Sequence, residues 1–169
     1  MKKFLFPIFF MIFVIGAAGQ QLKIELEGSA NFNNSSFSVS EAGEDFPSSI
    51  ESETSFFISV LYTDDNLNRK KNPNTKWNIK VFKSDLTWNN NLRLEARRTG
   101  RGQRVGHPGN PNIHDGDSDQ LITNTSTYFF RGMGEIVHIP VSFSLSGFSV
   151  TMGASAFETR VVFTVYDEW

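Results

Sequence analysis

The chain has 169 residues, 39% hydrophobic, 14% aromatic and 20% charged, with no cysteine. That length sets one domain or at most two small ones, and the aromatic content excludes a disordered tail. With 16 Lys and Arg against 18 Asp and Glu the chain is near neutral, and the lack of Cys excludes a disulfide framework, a thiol nucleophile and a Cys-ligated zinc.

Met1-Lys2-Lys3 is a short positive segment, Phe4 to Ile15 is apolar apart from Pro7, and Gly16-Ala17-Ala18-Gly19 supplies small residues. That order is a secretory signal peptide, with cleavage expected after Ala18 or Gly19. The apolar run is short for ~30 Å of hydrocarbon, and no later run is long enough for a membrane helix, so the mature form is expected to have no membrane span. Residues 1–19 are therefore read as leader and 20–169 as a single domain, secreted to the periplasm or cell surface. A cysteine-free exported chain fits a bacterial envelope better than the disulfide-rich small secreted domains.

The mature region reads as strands. Leu22, Ile24 and Leu26 alternate with Lys23, Glu25 and Glu27, and Phe37 and Val39 alternate with serines. Phe56, Ile58, Val60 and Tyr62 form a third alternating set, and Trp77, Ile79 and Val81 a fourth. Leu92, Leu94 and Ala96 follow, then the long run Val137, Ile139, Val141, Phe143 and Leu145, and last Val161, Phe163 and Val165. Period two with β-branched and aromatic residues marks half-buried strands. Stretches rich in Gly, Pro, Asn, Asp and Ser separate them, the longest being Asp64–Pro73 and Thr99–Ser118. The expected fold is all-β: an antiparallel two-sheet sandwich with Greek-key (Ig-like or pilin-like) connections. Pro140 inside its run predicts an edge strand or a bulge.

Charge falls in blocks. Segment 20–68 is acidic, 69–104 holds most of the bases, and 105–169 is acidic again. Within one fold such blocks neutralise one another, and between copies they steer association. The parities place Lys76, Lys80, Arg93 and Arg97 outward, so if their two strands pair they form one basic patch above Trp77 and Leu94. Arg97, Arg98, Arg101 and Arg104 make the densest cationic stretch, whose guanidinium forks can hold carboxylates, sulfates or phosphates. No nucleic-acid partner is expected for an exported chain. Trp88 beside Asn89–Asn91 either stacks on a sugar ring or folds back as a lid on the core.

Asp115, Asp117 and Asp119 stand at alternate positions, a spacing that can wrap Ca²⁺. An EF-hand would then need Gly at 120 and Glu at 126, where the chain has Gln120 and Ser126, so a solvated acidic turn is the plainer reading. His107 and His114 flank a Pro/Gly loop in no zinc spacing, and His138 sits on the polar side of its strand. No Gly-x-Ser-x-Gly elbow is present. No cofactor and no enzymatic activity are expected.

The C-terminal stretch Gly147–Trp169 passes through a Gly-containing turn, Gly153 to Phe157, into Glu158-Thr159-Arg160-Val161-Val162-Phe163-Thr164-Val165-Tyr166. This ending resembles that of secreted pilin-like sandwich domains of the spore-coat-U-like and fimbrial-subunit families. Ser40-Glu41-Ala42-Gly43 and Phe129-Phe130-x-Gly132-x-Gly134 look like turns of exported bacterial β-domains. The chain departs from many fimbrial subunits in having no cysteines. The resemblance implies a structural, adhesive or assembly component of the envelope that works by contact with a surface protein or with itself. Its means would be strand edges at Gln21–Glu27 and Thr159–Tyr166. The alternative is a soluble binding module for a glycan or another anionic ligand, using the 97–119 segment and Trp88.

Overall fold

The computed structural model describes residues 22–32, 48–63, 73–106, 108–149, 152 and 156–168. The predicted strand around Phe37 and Val39, the leader, most of the 64–73 loop and His107 lie outside them. The described residues form eleven strands: β1 (Leu22–Gly28), β2 (Ser49–Glu51), β3 (Phe56–Tyr62), β4 (Lys76–Thr87), β5 (Arg93–Arg98), β6 (Gln103–Arg104), β7 (Ile113–His114), β8 (Gln120–Leu121), β9 (Thr127–Met133), β10 (Ile136–Ser146) and β11 (Glu158–Glu168).

They make two antiparallel sheets. The larger runs β1-β3-β10-β5-β8, with β2 and β6 also on β10, and the smaller runs β11-β4-β9-β7. The all-β, two-layer expectation holds. Each alternating run turns its apolar side inward: Trp77, Ile79 and Val81 from β4 face Phe56, Ile58 and Val60 from β3 across one shared core. Phe163 is the hub between the layers. Its ring stacks on Phe56 at 5.9 Å and meets Phe143 at 6.4 Å and Phe129 at 6.2 Å. Ring pairs in these geometries add about 0.5–1.5 kcal/mol each beyond area burial.

Three bulges break the period of two. On β10 three steps, Ile136 to Ile139, match two on β3, and His138 takes φ 53°. Val137 is therefore only half-buried, and the inward set is Ile136, Ile139, Val141, Phe143 and Leu145 rather than one beginning at Val137. The bulge expected near Pro140 is present, whereas the edge position is not: β10 lies between β3 and β5, and Pro140 O accepts from Thr99 N. On β9 the register jumps between Phe130 and Tyr128, so that adjacent Phe129 and Phe130 both enter the core. The Phe129–Gly134 run expected as turns is mostly this strand. Gly132 serves packing there, because a Cβ at that position would lie 2.4 Å from the Trp77 ring. On β11 the jump between Glu158 and Thr159 leaves Leu86 of β4 extra and exposed.

Candidate functional site

The smaller sheet carries the most distinctive surface. Its outward positions follow from the register: Asn78 of β4 sits between Tyr166 of β11 and Arg131 of β9, and Arg131 is in turn opposite His114 of β7. One step along, Lys76 faces Met133, whose N–H donates to Asn112 O. Lys76, Asn112, His114, Arg131, Gly132 and Met133 thus line an open cleft of about 250 Å³. His114 Nε2 and Asn112 Oδ1 are 2.6 Å apart. Asp115, held at φ 67°, stands beside the cleft: Tyr128 Oη donates to its Oδ2, and Arg131 Nε lies 3.6 Å from the same oxygen. Tyr128 and Tyr166 are 41% and 42% exposed on this face, and Lys80 Nζ sits 4.8 Å above the Tyr166 ring.

The basic patch expected from Lys76, Lys80, Arg93 and Arg97 does not form. Lys76 and Lys80 belong to the smaller sheet, Arg93 and Arg97 to the larger, and β4 and β5 do not pair. Outward faces of two stacked sheets point opposite ways, so the four side chains divide between opposite sides of the molecule. Trp77 and Leu94 are both buried, each beneath its own sheet.

Two arginines of the dense stretch, Arg97 and Arg98, are engaged within the fold. Arg97 Nη2 reaches Glu51 Oε1 at 2.9 Å, and its Nε lies 3.7 Å from Asp119. Arg98 is buried: Nε and Nη2 donate to Asp115 O at 3.0 and 2.9 Å, and Nη1 to Gly100 O at 2.7 Å. Burial and the Arg101 charge lower its pKa, opposed by Asp117 and Asp115. Arg101 and Arg93 are exposed. Arg104 lines a separate cleft of about 180 Å³ with Tyr62, Pro73, Val105, Gly106, Gly134 and Glu135. The 99–118 segment is therefore not a bare loop, since β6 and β7 lie inside it.

The aspartates of the 115–119 stretch do not converge on one point. Asp115 faces Tyr128 and Arg131, Asp119 faces Arg97, and among the described residues no group of three His, Asp or Glu could hold a metal ion. His138 is exposed, with Nε2 3.4 Å from Glu27.

Trp88 is a lid rather than a platform. It packs against the core, its Nε1 donates to Leu92 O at 3.2 Å, and Lys83 Nζ sits 4.9 Å from its ring. Lys83 takes the fourth inward position of β4, after Trp77, Ile79 and Val81, and is buried there. Its Nζ reaches both Asp85 oxygens at 2.6 Å. Thr159 Oγ1 and Asn124 Nδ2 donate to Asp85 at 2.8 and 3.0 Å. Burial pushes the Asp85 carboxyl up, but those bonds and the Lys83 charge outweigh it and hold the pKa below the usual carboxylate range. Lys83, Thr159 and Asn124 thus converge on the Asp85 carboxylate, and with Trp88 they close one end of the core.

Comparison with family models, with curated proteins and with solved structures finds no significant match. No helix among the described residues is long and apolar enough to cross a membrane.

Of the residues that shape the outward face, Arg131, Tyr128, Tyr166, Asn112 and Met133 were not singled out from the sequence. The outward parity of Tyr128, Arg131 and Met133 was available only once the Phe-Phe pair was understood as a bulge.

Proposed function

We propose that the chain is an exported, non-enzymatic contact component of the bacterial cell envelope, acting through protein–protein association. The observation that carries this reading is the outward face of β11-β4-β9-β7. There Tyr128 and Tyr166 stand exposed among Lys76, Lys80 and Arg131, with Leu86 56% exposed at its end. Tyr and Arg are enriched at interfaces and at their energetic centres, because each brings a large contact area with a polar group at its tip. A sheet face of this composition suits docking of a folded partner. The apolar leader supports export, and the succession of strands that alternate between the two sheets supports a Greek-key, pilin-like plan.

The test is affinity capture from the native envelope fraction, with the purified protein as bait. On this reading one partner, or a second copy of the chain, is retained. Tyr166→Ser with Leu86→Ser then reduces the retained amount by about tenfold, as loss of a central aromatic anchor does. Retention unchanged by that double substitution would remove this face as the contact site. Retention lost only on substitution of outward residues of the larger sheet, such as Glu95, would move the contact to the other layer.

A further inference from the structure

The cleft at the β7 end of the same face carries an inference that goes beyond protein contact. We propose that it binds a carboxylate-bearing sugar unit of an acidic polysaccharide.

The charge of the lining comes first. Lys76 and Arg131 are cations from two different strands, His114 and Asn112 add polar nitrogen and oxygen, and none of the lining residues is acidic. Such a cleft selects an anion. Arg131 is braced for that task. Its Nε edge faces Asp115 Oδ2 at 3.6 Å, and Asp115 is itself held by the Tyr128 hydroxyl. A guanidinium with a carboxylate beside its Nε edge can turn its terminal nitrogens as a fork toward a second carboxylate, and Lys76 adds a point charge.

Size and shape narrow the class. About 250 Å³ is the share of roughly eight waters, the scale of one sugar ring and below the range of drug-sized ligand pockets. The cleft is open, and on the same face the sheet continues through the exposed rings of Tyr128 and Tyr166. An aromatic ring beside a polar cleft suits the next sugar of a chain, whose C–H face packs on it while hydroxyls reach polar groups, and with Lys80 over Tyr166 that ring is Tyr128.

Polar matching agrees. His114 Nε2 and Asn112 Oδ1 lie 2.6 Å apart, so the two polar side chains are held together in the lining. A sugar unit with hydroxyls beside its carboxylate can hydrogen-bond to this pair while the carboxylate meets Lys76 and Arg131, a combination that a sulfate ion lacks.

The experiment is titration calorimetry of the purified protein with tetragalacturonate and tetramannuronate. The methyl ester of the former, which keeps the sugar rings but carries no charge, and hexaglutamate serve as comparisons. The expected result is saturable binding of at least one tetrauronate, weakened about tenfold by esterification and by either Arg131→Gln or Lys76→Gln. Arg101→Gln, outside the cleft lining, leaves it unchanged. Lys76→Gln guards against a fold defect, because Lys76 has no part in the Asp115 brace. Absence of saturable binding for both tetrauronates overturns the proposal. So does binding indifferent to both cleft substitutions, or an ester that binds as well as the acid. Hexaglutamate binding as tightly as the tetrauronate would reassign the cleft to an acidic peptide.

Discussion

Two cationic regions of this chain behave in opposite ways. The Arg97–Arg104 stretch is the densest run of arginine in the sequence, yet Arg98 is buried against loop carbonyls and Arg97 is held between Glu51 and Asp119. The cleft on the smaller sheet draws Lys76, His114 and Arg131 from three strands, and its lining contains no acid. In the first region Arg98 and Arg97 are engaged by the fold, while Arg101 stays exposed and Arg104 lines a separate cleft. The second is charge left facing outward. Density along the chain therefore says less about a binding surface than which strands the fold sets side by side.

That contrast can be broken at its foundation. The floor of the cleft rests on Trp77, fully buried, its Nε1 donating to Gly134 O at 2.7 Å. Trp77→Ala is expected to cost about 3–5 kcal/mol in urea denaturation, the largest effect here, and to abolish any binding at the cleft. A loss below about 1 kcal/mol would mean that β4 and β9 are not packed as described.

Next in size is the closed end of the sandwich. Asp85→Asn strands the buried Lys83 charge, and the expected loss is about 1–3 kcal/mol, below the range for fully buried pairs because Asp85 is one-quarter exposed. Its pH signature is separate. The folded-state pKa of Asp85 lies below its unfolded value, so its contribution is fully present above the usual carboxylate range and is lost as pH falls through the folded value. Between about pH 5 and pH 2 the wild type should therefore lose stability more steeply than Asp85→Asn, and parallel curves would contradict the arrangement.

Arg98→Met sharpens the comparison directly. It leaves Asp115 O and Gly100 O without the guanidinium, for an expected loss of about 1–3 kcal/mol. Arg97→Gln, which removes exposed ion pairs only, should change stability by less than about 1 kcal/mol, and less again at high salt. If Arg97→Gln were the costlier of the two, the division between buried and surface Arg would be wrong.

Much of the fold was legible as alternation. β1, β3, β4, β5 and β11 fall where the periods of two lie, because each buries one face. β9 was read as turns because its bulge brings two consecutive Phe inward and its Gly132 clears space for Trp77, and neither signal has period two. β10 was found, but with its first inward residue displaced by the bulge at His138. The candidate site was less legible. The expected patch needed β4 and β5 in one sheet, and which sheet a strand joins is decided by packing across the core, here around Phe163, not by the strand's own period. The cleft also needs β7, a two-residue strand inside a Gly- and Pro-rich segment that shows no periodicity.

The central claim is that this protein meets its partners with the outward face of β11-β4-β9-β7 and not with the Arg97–Arg104 stretch. The direct measurement places a photoreactive amino acid at Tyr166 in one variant and at Arg101 in another, and irradiates both in the native envelope. The account predicts discrete cross-linked products from position 166 and none from position 101. Products from position 101 alone would contradict it.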